Sequence, residues 1–241
     1  MPTESAISPF RASALATGLS FVAGYVDTVG FVALFGLFTA HVTGNFVLIG
    51  AELAHSSGNV LLKLMVFPAF VIAVAATRVA VTEMERRGRS SVRAVLGLQA
   101  ALLSGFMLAG WFASPVIRSD TALAMFAGLL GAAAMGVQNA ASKLVFPSLT
   151  ATTVMTGNVT QLVIDAVDLM RGVGGESVRK RSVRFVLPIL TFASGAVVGA
   201  FGYVYFGFPT LLLPVVVLLL LMRGSAPSLG NGSLPEVQPR P

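Results

Sequence analysis

The chain has 241 residues, of which 55% are hydrophobic and 11% charged, and its mean hydropathy is +0.85. Soluble domains carry about 25% charged residues, so this composition excludes the soluble class and indicates an integral membrane protein. The absence of cysteine excludes disulfides, thiolate nucleophiles and thiolate metal sites. The net charge of +6 comes from Lys and Arg in short connections between apolar runs, which indicates membrane topology and not nucleic-acid binding.

Apolar runs near the roughly 20 residues that a spanning helix needs recur along the chain. Spanning helices are predicted at 12–35, 61–81, 94–113, 121–142, 185–206 and 209–222. Two further runs, 38–54 and 148–170, are interrupted by polar residues and are predicted to be broken or re-entrant. One all-α membrane domain over 12–223 is therefore predicted, between a cytoplasmic N-terminal segment, 1–11, and a disordered Gly/Pro/Ser-rich tail, 224–241.

The tripeptide Thr-Gly-Asn occurs once in each interrupted run, and we call these two runs the TGN segments. The residues are Thr43, Gly44, Asn45, Thr156, Gly157 and Asn158. We expect the glycines to adopt strained dihedrals and the Thr and Asn side chains to cap a helix that begins just after them. Two half-helix N-termini meeting near the bilayer centre would bind an anion or a polar neutral solute. The alternative is that each triplet is a kink required for helix packing.

The triplets belong to a longer repeat that relates residues 12–113 to residues 121–222. Small residues recur at every fourth position of the first predicted helix and again 112 positions later. The pairs are Ala12 and Ala124, Ala16 and Gly128, Ser20 and Ala132, Gly24 and Gly136, and Thr28 and Ala140. Such ridges let helix backbones approach closely in lipid, so we expect the two ridge-bearing helices to cross each other. The alternative is that Ala and Gly are simply common in membrane helices.

The basic residues distinguish two topologies. Arg78, inside a span, and Arg240, in the tail, are set aside. If both TGN segments cross the membrane, 9 of the other 14 Lys and Arg lie on one side of the membrane and 5 on the other. If neither segment crosses, 12 lie on one side and 2 on the other. The positive-inside rule favours the second topology, with both termini cytoplasmic. Each half then has three crossings and one re-entrant segment, which makes the repeats inverted, a pattern typical of transporters and channels.

Polar residues inside the predicted spans are the candidates for a functional cavity. Asp27 lies deep in the first helix, where an acid is costly unless it is paired or faces water. It aligns with Asn139, so we expect Asp27, Gln138 and Asn139 to line a shared polar cavity, or else to form a structural hydrogen bond between helices. His41, with a near-neutral pKa, suits a proton relay with Asp27. The alternative role for His41 is a polar anchor at the membrane interface.

A second polar face follows each triplet. Asn158, Gln161, Asp165 and Asp168 are spaced at helical intervals and share one face, and Glu52 aligns with Asp165 at an offset of 113. We expect Glu52, Gln161 and Asp165 to line a vestibule. The equally weighted alternative is that Asp165 and Asp168 form a solvated helix end that faces Arg171 and the basic cluster 179–184.

Four stretches resemble the YoaK-like family of bacterial membrane proteins. They are GYVDTVGF (24–31), FTAHVTGN (38–45), MGVQNAASK (135–143) and TATTVMTGN (150–158). The similarity covers about 12–222. It implies a multi-spanning protein of the bacterial cytoplasmic membrane, and it implies no catalytic or binding residue.

The leading hypothesis is a transporter or facilitator of a small polar or anionic solute that binds between the TGN half-helices. Asp27, alone or together with His41, would couple solute transport to protons. A passive channel and a non-transporting scaffold are the alternatives. An intramembrane enzyme is least favoured, because Asp27 and His41 are the sole acid–base candidates and neither G-x-S-x-G nor H-E-x-x-H occurs. We expect no cofactor and no metal. The expected partners are the lipid bilayer and the solute, and a homo-oligomer remains open.

Overall fold

The structure is a computed structural model that describes residues 9–55 and 60–224. Most of the predicted N-terminal segment and nearly all of the predicted tail lie outside these residues. The described part is helical, as predicted. Its helices are α1 (Pro9–Ala33), α2 (Gly44–His55), α3 (Val60–Arg86), α4 (Ser91–Ala113), α5 (Ala122–Leu144), α6 (Thr156–Met170), α7 (Glu176–Phe206) and α8 (Leu212–Gly224), with a 3-10 turn at Phe208–Leu211.

Five helices, α1, α3, α4, α5 and α7, are long and apolar enough to cross a membrane. The sequence predicted six spans. The expected sixth, at 209–222, consists of the 3-10 turn and the 13-residue α8, together about 27 Å long. It therefore falls short of the length of the other five. Large apolar side chains such as Phe201, which is 59% exposed, cover the outside of the spans and contact lipid.

Both TGN segments contain short helices that start inside the triplet. The 12-residue α2 begins at Gly44 and the 15-residue α6 begins at Thr156. At 1.5 Å per residue they are about 18 and 22 Å long, less than the roughly 30 Å hydrocarbon core. The expected strained dihedrals are wrong, because Gly44 and Gly157 adopt helical conformations. The described glycines with positive φ are Gly36, Gly88, Gly172 and Gly207.

The small-residue ridges pack against partners other than the expected ones. α1 lies along α7 and α5 lies along α3 and α4, whereas α1 and α5 touch over a short stretch. A Cβ added to Gly24 would lie 2.1 Å from the carbonyl oxygen of Phe192, and one added to Gly136 would lie 2.9 Å from that of Phe70. A Cβ added to Gly195 of α7 would lie 2.2 Å from the carbonyl oxygen of Phe21 on α1. Contrary to expectation, the ridges therefore do not pack on each other where α1 and α5 meet, because α7 presents its own small residues to α1.

The contacts between helices follow a similar pattern in the first four helices and the last four. The matched helices are α1 and α5, α2 and α6, α3 and α7, and α4 and α8. The α1–α7 contact corresponds to α5–α3, and the α1–α8 contact corresponds to α5–α4. Likewise α2 packs on α3 as α6 packs on α7. Each half therefore builds its largest helix interface with the other half.

Candidate functional site

Asp27 is a buried carboxylate, 5% exposed, in the last third of α1. Its Oδ1 accepts hydrogen bonds from the backbone N–H groups of Thr39 and Ala40, both at 2.7 Å. Its Oδ2 lies 2.6 Å from Nδ1 of His41. Consecutive backbone N–H groups that converge on one oxygen form an anion-binding nest, so the loop after α1 compensates the burial of this acid.

The loop reaches Asp27 because the chain turns back sharply after α1. Phe35 and Gly36 both have positive φ, at 56° and 76°, and reverse the chain direction. Asn45 then fixes the loop: its Oδ1 accepts from the N–H of Phe38 at 2.9 Å and its Nδ2 donates to the carbonyl of Phe38 at 2.8 Å. Lys63 on α3 donates to the carbonyl of Phe35 at 2.6 Å.

The second triplet repeats this arrangement. Nδ2 of Asn158 donates to the carbonyl of Ala151 at 2.7 Å, across the same seven-residue interval that separates Asn45 from Phe38. Met155 is the N-cap of α6 and makes no side-chain cap hydrogen bond. The expected capping by the triplet asparagines is therefore wrong, because both amides are bonded to the preceding loop.

Within each triplet the asparagine is buried, whereas the threonine is exposed. Thr43, Thr156 and Gly157 are exposed, whereas the asparagines are 1% and 4% exposed. The N–H groups of 44–46 donate to the carbonyls of 41–43. These N–H groups of α2 are already bonded within the chain, so they do not form the free anion-binding end that the sequence suggested.

His41 and Asp27 border a cavity of about 330 Å³. Its lining residues are Asp27, Thr28, Phe31, Phe38, His41 and Phe192. The His41 side chain is 31% exposed, and its ring centroid lies 5.9 Å from that of Phe192 on α7. The hydrogen bond with Asp27 raises the pKa of His41, although burial opposes this effect. The imidazole is thus an accessible proton-binding group joined to a buried carboxylate.

Asn139, which aligns with Asp27 in the sequence, holds the loop before α6. Oδ1 of Asn139 accepts a hydrogen bond from the hydroxyl of Thr153 at 2.8 Å. Neither Asn139 nor Gln138 lines the cavity beside Asp27. The structure therefore separates the three residues expected to share one cavity into two clusters, one in each half.

Gln138 belongs to a buried polar network that includes residues missed in the sequence. It donates to the carbonyl of Leu19 at 2.8 Å and to the hydroxyl of Thr152 at 3.1 Å, and it accepts from Gln99 at 2.6 Å. Gln99, Gln138 and Thr152 are each 1% exposed. The network joins α1, α4, α5 and the loop before α6. A lone Gln inside the predicted span 94–113 was the available signal for Gln99.

The expected vestibule residues form ion pairs between each TGN helix and the next span. Glu52 on α2 pairs with Lys63 at 2.7 Å, and Asp165 on α6 pairs with Arg181 at 2.5 Å. Gln161 donates to Asp165 at 2.7 Å. The guanidinium of Arg181 lowers the pKa of Asp165 to about 2. Asp165 is fully buried and is therefore not part of a solvated helix end, but it faces the basic cluster 179–184 through Arg181, as that alternative expected. The partner of Glu52, Lys63, was missed in the sequence.

The described residues contain no group of three or more His, Cys, Asp or Glu side chains arranged to hold a metal ion. The chemistry available at the cavity is consequently that of one carboxylate, one imidazole, one hydroxyl and three aromatic rings.

Comparisons with known proteins agree with the resemblance in the four sequence stretches. Residues 15–223 match the family described as "Protein of unknown function (DUF1275)". The chain is also 26% identical over 207 residues to the UPF0700 transmembrane protein YoaK of Bacillus subtilis (strain 168), covering 85% of this chain and 89% of that protein. No solved structure matches the chain. The YoaK-like resemblance is confirmed: the chain belongs to the DUF1275 family and is a multi-span membrane protein.

Proposed function

We propose that this protein is a proton-coupled transporter of a small solute, and that the cavity beside Asp27 and His41 is the solute site. The observation that carries the proposal is the 2.6 Å contact between a buried carboxylate and a partly exposed imidazole at the wall of a cavity of about 330 Å³. Ionisable groups within membrane segments are costly and mark ion and solute pathways. His41 can exchange a proton with the cavity while backbone N–H groups hold Asp27 in place.

We further propose that the two halves are inverted in the membrane. The 12- and 15-residue lengths of α2 and α6 support re-entrant segments that enter and leave on one side. With neither TGN segment crossing and the short run at 209–222 as the sixth crossing, 12 of the basic residues lie on one side of the membrane and 2 on the other, and both termini lie in the cytoplasm of a bacterial cell. The 3-10 turn and α8, together about 27 Å long, come close to the roughly 30 Å hydrocarbon core. The corresponding helix contacts and the two ion pairs, Glu52–Lys63 and Asp165–Arg181, also support equivalent halves.

The triplets then have a positioning role and not the solute-binding role that the sequence predicted. Asn45 and Asn158 position the loops that bear His41 and Thr153, and they do not contact the solute directly. The carboxylate of Asp27 also makes an anionic solute less favourable than a neutral or cationic one, because like charges repel strongly where water is scarce. Coupling to protons distinguishes the proposed transporter from a passive channel.

The test is solute uptake into proteoliposomes under an imposed pH gradient, with separate pools of amines, amino acids, sugars and carboxylates. We expect at least one pool to show gradient-driven uptake that Asp27→Asn and His41→Gln each reduce more than tenfold. His55→Gln, which changes the other histidine of the chain, is the matched control and should leave uptake unchanged. Uptake that ignores the pH gradient would indicate a channel, and uptake unaffected by both site variants would remove the site assignment.

A further inference from the structure

Three of the six residues that line the cavity beside Asp27 are phenylalanines. Phe31 comes from α1, Phe38 from the loop and Phe192 from α7, so three separate elements each contribute one ring. The Phe31 and Phe38 centroids are 4.9 Å apart, and the His41 ring lies between Phe38 and Phe192 at 6.1 and 5.9 Å. Phenyl faces carry negative electrostatic potential and attract cations placed over them.

The charges around the cavity favour a cation as well. With His41 neutral, Asp27 supplies one net negative charge. Among neighbouring elements, Lys63 on α3 is neutralised by Glu52 on α2. The charged residues of α7 fall in 176–184, at least about 12 Å along the helix from Phe192.

The tyrosines of α1 and α7 do not line the cavity. The hydroxyl of Tyr25 on α1 donates to the carbonyl of Thr210 at 2.9 Å. Tyr203 of α7 packs against Phe208. No lysine or arginine is among the residues that line the cavity. The electrostatic balance at the site is therefore set by Asp27 and His41.

We propose that this cavity binds a small organic ammonium ion, with Phe31, Phe38 and Phe192 around the cation and Asp27 as its counter-charge. This inference rests on the proposed function and adds the substrate class to it. The volume of about 330 Å³ is at the lower end of ligand cavities and suits a small amine. Protonated His41 would already neutralise Asp27, so ammonium binding and protonation of His41 compete, which couples cation movement to proton movement in the opposite direction.

The experiment measures binding of radiolabelled tetramethylammonium to the purified full-length protein in nanodiscs between pH 5.5 and 8.5. We expect affinity to be at least tenfold higher at pH 8.5 than at pH 5.5, and protons to be released on binding. His41→Gln should retain binding and lose its pH dependence. Phe192→Leu should weaken binding about tenfold, whereas Phe201→Leu, the same change at a lipid-exposed position of α7, should leave it unchanged.

Acetate provides the charge control and should not compete with the probe. Stronger binding of acetate, or binding of tetramethylammonium that ignores pH in the unaltered protein, would overturn the inference. Gradient-driven uptake of a neutral or anionic solute that tetramethylammonium does not inhibit would also overturn it, although the proposed function would stand. Binding with the expected pH dependence but without uptake would instead support the cation site and count against transport.

Discussion

At the residue scale, the two triplet asparagines perform one task twice. Each inserts a buried amide into the loop that precedes its helix, and each bonds the carbonyl seven residues earlier. A buried backbone group left without a partner costs about 1–3 kcal/mol. The two asparagines therefore hold the loops in the shape that delivers backbone N–H groups to Asp27 and the Thr153 hydroxyl to Asn139.

We expect Asn45→Ala to destabilise the protein by about 1–3 kcal/mol, because both the N–H and the carbonyl of Phe38 lose their side-chain partner. Asn158→Ala should have a smaller effect, since one backbone bond, to Ala151, is lost. Thermal unfolding in detergent measures both. Thr43→Ala, at an exposed triplet position, is the control, and an Asn45→Ala protein as stable as this control would refute the loop-holding role.

The sequence predicted part of this site and missed the rest for a physical reason. The near-neutral pKa of an imidazole suggested a relay between His41 and Asp27, and the two side chains do lie 2.6 Å apart; proton coupling itself stays a prediction. The backbone N–H groups of Thr39 and Ala40 could not be predicted. They reach Asp27 because Phe35 and Gly36 turn the chain with positive φ, which is rare for phenylalanine and invisible in a hydropathy pattern.

At the element scale, close helix packing depends on glycines whose partners are backbone atoms. A Cβ on Gly195 would lie 2.2 Å from the carbonyl oxygen of Phe21, and one on Gly199 would lie 2.7 Å from that of Tyr25. The sequence correctly marked a ridge on α1. It gave the wrong partner, because periodicity identifies a face that packs closely but not the helix that the tertiary arrangement places against it.

Gly195→Ala should separate α1 from α7 and cost about 1–3 kcal/mol, because the added methyl meets a backbone carbonyl that has little freedom to move. Gly157→Ala provides the contrast: nothing lies within 4 Å of its added Cβ, and alanine favours the helix by up to about 1 kcal/mol. Unfolding temperatures of the two variants should therefore shift in opposite directions. Equal shifts would contradict the close α1–α7 contact.

Lys63→Met should be the most destabilising change at the α2–α3 contact. Lys63 is 1% exposed, and its loss leaves Glu52 without its partner and the Phe35 carbonyl without a donor. Breaking a buried ion pair in this way costs about 3–5 kcal/mol. Arg87→Met, which breaks an exposed pair with Glu83, should cost less than about 1 kcal/mol. Similar unfolding temperatures for the two variants would show that the Lys63 pair contributes little.

At the scale of the whole molecule, the arrangement of the two halves decides what the cavity can do. The sequence predicted all-helical spans and located five of them, because apolar length is a direct consequence of bilayer thickness. It overestimated the α-helical length of the sixth predicted span, which begins with a 3-10 turn. Inverted halves would put Asp27 and His41 on the opposite side of a pseudo-twofold axis from Asn139, and repeats related in this way are the pattern on which alternating access is built in many transporters.

The most direct test is the sidedness of single cysteines in the Cys-free chain. We would place them at Ser57, Ser90, Asp120 and Ser177; Asp120 is exposed, whereas its neighbour Ser119 is buried. A membrane-impermeant thiol reagent applied to intact cells should label positions 57 and 120 and spare 90 and 177. Labelling of either 90 or 177 alone would place these two positions on opposite faces, so that α6 crosses the membrane. Equivalent halves would then require α2 to cross as well and the halves to run parallel, and the inverted-repeat transporter would be wrong.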